Sequence, residues 1–184
     1  MKFEKFWKVT GEPAFESLVK EFGECYRLTI RGSIRSDHEV IRISRTSSRQ
    51  STLTAHFVRY ADEKPGNIKY ELVIKNSILA AVRALMESCR FWKLEPDEQM
   101  KAQCRDGRMR TFEAWHRGQL KVVRRHEPNP LLYPGELFGA LTTYMEWLGH
   151  YAYVMCDLEL RKRYGHLDPD TTNATDEAPK FISV

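Results

Sequence analysis

Hydrophobic and polar residues alternate in two separate parts of the chain, and this predicts two groups of strands. The clearest case is 26–31, where Tyr26, Leu28 and Ile30 alternate with arginine and threonine in the period-two pattern of a half-buried strand. Further strands are predicted at 39–46, 53–58, 68–74, 109–116 and 119–126. The last two flank Arg117-Gly118, which is a hairpin turn signal.

Apolar residues at helical spacing predict three helices. The first is short and follows Pro13, with Phe15, Leu18 and Phe22 on one face. The second follows Asn76, which is predicted to be its N-cap, and has one continuous apolar stripe. The third covers about 135–163. Its apolar residues recur at alternating spacings of four and three: Leu137, Leu141, Tyr144, Leu148, Tyr151, Met155 and Leu158.

These elements predict an α+β fold. Strands occur in two runs rather than in strict alternation with helices, which favours an antiparallel sheet of five to six strands packed against two or three helices. The predicted order is α-β-β-β-(β)-α-β-β-α. A chain of 184 residues fits one domain, which we place at 1–165. Asp, Thr, Asn and Pro dominate 166–184, so we predict an irregular polar tail there.

The third helix raises the question of self-association. Phe138, Met145 and Ala152 widen its stripe to the breadth of a core-facing surface, so we expect most of this helix to be buried within the monomer. A helix of about 29 residues spans roughly 43 Å. Its C-terminal part, Tyr151 to Leu158, is therefore expected to extend past the sheet. That overhang suggests a weak homodimer through the C-terminal helix.

Positive charge is concentrated on the first strands. Between positions 25 and 60 there are seven arginines, against only Asp37 and Glu39. Alternation turns part of this set outward, and we predict a partner-binding face made of Arg27, Arg31, Arg35 and Arg42. Because these side chains are expected to face solvent, charge reversal at Arg27 and Arg31 is expected to leave folding intact.

The arginine face suggests two classes of partner. The planar guanidinium binds carboxylates and phosphates in bidentate fashion. We therefore predict an anionic or mixed protein surface as the partner, and the alternative is a nucleic-acid-associated protein that uses the same arginines. Exposed aromatic residues for base stacking do not accompany the arginines, which favours the protein partner.

Motifs of catalysis are missing from the sequence. It contains no HExxH, no glycine-rich phosphate loop and no GxSxG. A third hypothesis, a small hydrolase, rests on His116 and His126 of the predicted hairpin with Glu113 nearby. Strand ends beside a turn are usually exposed and polar, so this hypothesis ranks below binding.

The cysteines and the hydropathy pattern bear on cofactors and compartment. Cys25, Cys89, Cys104 and Cys156 are widely spaced without a CxxC pair, and we expect all four to be reduced. We accordingly predict no metal and no cofactor. No apolar run reaches the roughly 20 residues of a membrane span, and the N-terminus has no signal-peptide core. These patterns predict a cytoplasmic protein that does not bind membranes.

The features between positions 77 and 151 follow a recurring order. They are Phe91-Trp92 at a helix end, Asp106-Gly107, Glu113, Val122-Val123-Arg124 and Pro128. This order resembles a loose group of small bacterial domains with the pattern FW…DG…E…VxR…P, some of them similar to immunity proteins of toxin systems. The chain departs from the group at Phe112, where Trp is usual, and at Leu120, where Tyr is usual.

The resemblance covers less than half of the chain and implies no catalytic residues. Its motifs are structural in character, a helix end followed by a tight hairpin. Together with the arginine face, it makes a non-enzymatic, immunity-like protein-binding domain our leading hypothesis.

Overall fold

The computed structural model describes residues 10–32, 38–61, 64–96, 108–126 and 136–164. The described elements, in chain order, are α1 (Phe15–Glu21), β1 (Glu24–Arg31), β2 (His38–Arg45), β3 (Gln50–Ala61), β4 (Lys64–Lys75), α2 (Asn76–Ser88), a 3-10 turn (Phe91–Lys93), β5 (Met109–His116), β6 (Gln119–His126) and α3 (Glu136–Tyr164). The predicted α+β fold and element order are confirmed, and the bracketed strand is present as β4. The predicted tail, 166–184, lies outside the described residues.

All six strands form one antiparallel sheet in the order β4-β3-β2-β1-β5-β6. The first four strands form a meander in which each pairs with its neighbour in sequence. The β5–β6 hairpin then pairs with the other edge of β1. The first strand in the chain therefore lies inside the sheet, with Arg42 of β2 opposite Arg27 on one side and Glu113 of β5 opposite it on the other.

One face of the sheet carries the main hydrophobic core. Tyr26, Leu28 and Ile30 point into it and have no exposed surface, as the alternation predicted. The helices α2 and α3 pack on this face. Their buried contributions are Leu79, Val82 and Met86 from α2 and Phe138, Leu141, Met145, Leu148 and Ala152 from α3.

The short helix α1 packs on the opposite face of the sheet. Phe15 and Leu18 are buried against Cys25 of β1, and Trp115 of β5 packs beside them. A helix of two turns is not stable alone in water, so this packing holds it in place. It also fixes the segment before it, Thr10 to Ala14, over the polar residues of β1 and β2.

Asn76 begins α2 and is not its N-cap, which corrects the prediction. The N-cap residue is Lys75, without a side-chain capping hydrogen bond. The Asn76 side chain instead donates to the carbonyls of Ser47 and Ser48, at 3.3 and 2.9 Å, and accepts from the Ser51 hydroxyl at 2.5 Å. Its amide therefore links the β2–β3 turn to the start of α2.

The closest approach between α3 and the sheet is made possible by Gly149. A Cβ atom at this position would lie 2.5 Å from Cγ1 of Ile41 and 3.8 Å from Cβ of Ala55. Both neighbours are fully buried, so neither can move into solvent. A side chain larger than hydrogen would push the helix away from the strands.

Replacing Gly149 by valine is expected to lower the free energy of unfolding by about 1–3 kcal/mol, because overpacking strains a filled core. Urea denaturation measures the change. Gly23→Ala is the matched control, since a Cβ there meets no atom within 4 Å. Its effect should stay within about 0.5 kcal/mol. A valine variant as stable as the wild type would contradict the close crossing.

Candidate functional site

The predicted binding residues Arg27 and Arg42 lie in a group of buried charges between α1 and the sheet. We call this set the buried ionic group: Glu12, Arg27, Arg42, His56 and Glu113. Arg27 retains 2% of its surface, and the side chain of Glu12 retains 1%. Two arginines and two glutamates balance in charge, which is the condition for burying them at all.

Arg27 is bound on both sides of its guanidinium. Its Nε and Nη2 donate to the two carboxylate oxygens of Glu113 at 2.6 and 2.9 Å, a bidentate pair. Its Nη1 donates to the carbonyl oxygen of Pro13 at 2.7 Å. The guanidinium also lies 5.0 Å from the ring centre of Phe15, in a cation–π contact. These contacts hold the guanidinium in place from within the chain.

Glu12 receives the second arginine. Nε of Arg42 donates to Glu12 Oε1 at 2.7 Å, and Nε2 of His56 lies 3.4 Å from Oε2. Burial raises the pKa of the Glu12 carboxyl, but the contacts with His56, Arg42 and Arg27 outweigh it and leave the pKa below its ordinary value. Glu12 is therefore held as a carboxylate in the interior.

The prediction of a solvent-facing arginine surface is wrong for Arg27 and Arg42. The prediction weighed only acids close in sequence, whereas the partners are Glu12, upstream of β1, and Glu113, on β5. The sequence did contain a signal that this face of the sheet is covered. Phe15 and Leu18 make α1 amphipathic, and an amphipathic helix needs an apolar surface on which to pack. Arg31 is partly exposed and has an interaction within the structure. Arg35 lies outside the described residues, and a binding role for Arg31 and Arg35 stays a prediction.

The histidine trio of the hydrolase hypothesis is not assembled. In the β5–β6 hairpin His116 pairs with Gln119 beside the turn, whereas His126 pairs with Met109 at the far end. Seven residues of strand separate the two pairs by roughly 23 Å. Glu113 is bound to Arg27, and it lies on the opposite face of β5 from His116. The hydrolase hypothesis therefore loses its site.

His116 instead belongs to a second buried acidic centre at Glu24. Its Nδ1 lies 3.3 Å from Glu24 Oε1, and Arg83 of α2 and Arg45 of β2 approach the same carboxylate at 3.5 and 3.6 Å. The Tyr26 hydroxyl donates to Glu24 at 2.7 Å. Burial, and then this hydrogen bond, raise the pKa of Tyr26. The centre joins β1, β2, β5 and α2 and is structural in character.

A third centre is the one group within the described ranges with metal-ligand spacing. Glu39, Glu146 and His150 bring one ligand atom each within 4.8 Å of one another. Glu146 is already paired with Arg110 at 2.9 Å and with Arg108 at 3.3 Å. A divalent cation would therefore compete with two guanidinium groups. Burial raises the pKa of Glu39, and His150, whose Nε2 lies 3.8 Å from Glu39 Oε2, offsets only part of this effect.

The described cysteines do not have the properties of nucleophiles. Cys25, Cys89 and Cys156 are free thiols in buried positions. Burial raises the pKa of Cys25 to about 11, and it also raises the pKa of Cys89 and Cys156. A thiol with a raised pKa carries little thiolate at neutral pH. Cys104 lies outside the described residues.

The most prominent exposed feature is a row of apolar side chains along α3 beside its buried side, in which Tyr144 is half-buried against the core. We call it the outer face: Leu137, Ala140, Tyr144, Trp147, Tyr151, Val154 and Leu158. Of the eight large apolar side chains exposed in the described ranges, five lie on it, and Trp147 alone retains 57% of its surface. Trp147 stacks between Tyr144 and Tyr151, with ring centroids 6.2 and 5.7 Å apart.

The outer face extends the exposure predicted for α3. Leu141 and Leu148 are buried and Tyr151 and Leu158 are exposed, as expected, but Leu137 and Trp147 are exposed as well. The helix is apolar on two sides, and the sheet covers only one of them. Exposure also extends along the whole helix from Leu137 onward and is not confined to a C-terminal overhang.

No protein-family model and no curated protein matches the sequence. The similarity to immunity-type bacterial domains therefore stays a prediction. Among the described helices, none combines the length and the apolar character needed to span a bilayer.

Proposed function

We propose that the protein is a non-enzymatic protein-binding domain and that it binds through the outer face of α3. The observation that carries this proposal is the continuous exposed apolar surface centred on Trp147. Tryptophan and tyrosine are the side chains most enriched at the centres of protein interfaces. Single exposed apolar residues are common, but a contiguous set of this length marks an interaction site.

The polar clusters support binding over catalysis. The buried ionic group and the Glu24 centre join elements of the fold through charges that are already paired. In the group of Glu39, Glu146 and His150, the carboxylate of Glu146 is neutralised by two arginines. An active site would need convergent groups with free capacity for substrate. An immunity-like role, which the resemblance implies, is one form of the protein binding proposed here.

The nucleic-acid hypothesis has lost its main support. It relied on the same arginines that line β1 and β2, and Arg27 and Arg42 are engaged by Glu113 and Glu12. An apolar, aromatic helix face also has little electrostatic attraction for a phosphate backbone. The outer face therefore suits a protein surface better than a nucleic acid.

Site-specific photo-crosslinking tests the proposed function. We expect a benzophenone amino acid at position 147, in cells that make the protein, to form a covalent adduct with a protein. The same group in place of Glu87, which is exposed on α2, should form none. Peptide sequencing of the adduct by mass spectrometry identifies the protein attached. Equal or absent adducts at both positions would overturn the assignment of the outer face as a binding surface.

A further inference from the structure

The outer face of α3 has the spacing of a coiled-coil seam. Its seven positions follow one another at three and four residues, and every one of them is apolar. This is the a/d pattern of a heptad repeat, carried through three heptads without interruption. The seam runs for about 32 Å along the helix.

The seam lies on a helix that is already held in place by the fold. The other side of α3 is anchored in the core through Phe138, Leu141, Met145, Leu148 and Ala152, all nearly or fully buried. Two isolated peptides of three heptads would lose conformational entropy on forming helices as they associate. In this protein α3 is already formed in the folded chain, so a seam of this length suffices for binding.

We propose that the outer face is occupied by the same face of a second copy of this chain, with the two α3 helices antiparallel about a two-fold axis. This inference rests on the proposed function, since it names the partner at the same surface. A two-fold interface brings one patch against itself, so the patch must be self-complementary. Side-chain size meets this requirement in the antiparallel direction for six of the seven positions of the outer face.

Size complementarity appears when the stacked aromatic residues are placed opposite one another. With Trp147 opposite the partner's Tyr151, the same register sets Tyr144 opposite the partner's Val154. It also sets Ala140 opposite the partner's Leu158. A small side chain thus meets a larger one in both outer layers. In a parallel pair identical residues would meet, so Trp147 would force the helices apart while Ala140 left a void.

The helix dipoles favour the same direction. Antiparallel helices place the positive end of one dipole beside the negative end of the other, whereas parallel helices place like ends together.

Sedimentation across the micromolar range tests the second copy. We expect the mass to rise with concentration from the 21.6 kDa of one chain to twice that value. Trp147→Glu should raise the dimer dissociation constant at least 100-fold, roughly the effect of losing a central tryptophan from both copies. Leu120→Glu, which changes an equally apolar exposed residue on β6, should leave dimerisation unchanged. The midpoint of urea unfolding shows whether each variant is folded.

Mixing two variants tests the direction of the helices. Trp147→Glu and Tyr151→Lys should each be monomeric alone, because each places two unpaired charges in the seam. Together they should form a heterodimer. The antiparallel register sets the glutamate at position 147 of one variant opposite the lysine at position 151 of the other. The second layer keeps the wild-type pair of Tyr151 and Trp147. Absence of a heterodimer would overturn the antiparallel register.

The outcomes separate the inference from the proposed function. A chain that stays monomeric, with the crosslink at 147 attached to a different protein, overturns the second copy and keeps the protein-binding face. A dimer that Trp147→Glu does not weaken overturns the second copy at the outer face, because association then uses another surface, and the crosslink at 147 decides whether the protein-binding face is kept. A monomer with no specific crosslink at 147 also overturns both.

Discussion

Replacing Arg27 by glutamate is expected to destabilise the protein by at least about 3–5 kcal/mol, the cost of breaking a buried ion pair by removing one partner. The change leaves Glu113 without its bidentate cation and the Pro13 carbonyl without its donor. It also adds a third carboxylate to a space that already holds two. Urea denaturation followed by circular dichroism measures the loss, which is a large part of the stability of an ordinary domain.

Two further variants make this result specific. Arg49→Glu changes an exposed arginine in the β2–β3 turn, and its effect should stay within about 0.5 kcal/mol. Arg27→Lys keeps the charge but loses the planar fork, so its stability should fall between the wild type and Arg27→Glu. An Arg27→Glu variant as stable as Arg49→Glu would show that the arginine faces solvent, as the sequence alone suggested.

The strands and helices were predictable because their signals are local. Tyr26, Leu28 and Ile30 alternate with polar residues whether or not the rest of the chain is considered, and the structure buries all three. The same alternation could not show what covers the other side of β1. That depends on where α1 packs and on the pairing of β5 with β1, which brings Glu113 beside Arg27 across 86 residues of sequence. Contacts of that range leave no periodic signal in either segment.

The third helix shows a different limit of periodicity. Its sequence is apolar on two sides, so spacing alone joined residues from both sides into one wide stripe. Leu141 and Leu148 belong to the side against the sheet, and Leu137 and Tyr151 belong to the outer face. Gly149 marks the packed side, because only glycine fits where the helix approaches Ile41.

The polar residues of the sheet illustrate why a charge count does not give a surface potential. Seven arginines against two nearby acids suggested an uncompensated positive face. Arg27 and Arg42 are instead neutralised by Glu113 and Glu12, and Arg45 approaches Glu24. All three acids lie outside the segment in which the charges were counted. Arginine is well suited to such buried pairs, since its fork binds carboxylates in bidentate fashion. The bias towards arginine over lysine therefore reflects the interior as much as any partner.

Glu12→Gln is expected to lower the free energy of unfolding at neutral pH by about 3 kcal/mol, because Arg42 and Arg27 lose a buried counter-charge. The pKa of Glu12 is lowered in the folded protein from its ordinary 4.5. Its stabilising contribution is therefore complete above pH 4.5 and is lost as the pH falls through the lowered pKa. The stability difference between wild type and Glu12→Gln should shrink over that acidic range.

Glu39→Gln provides a control of opposite sign for the same measurement. The pKa of Glu39 is raised in the folded protein, first of all by burial, so ionisation of this carboxyl destabilises the fold. The Glu39→Gln variant should be more stable than wild type above the raised pKa, and the gain should disappear as the pH falls towards 4.5. Urea denaturation of both variants from neutral to acidic pH compares them directly. If Glu12→Gln behaved like Glu39→Gln, Glu12 would be a buried carboxyl without effective cations, and the pairing with Arg42 and Arg27 would be refuted.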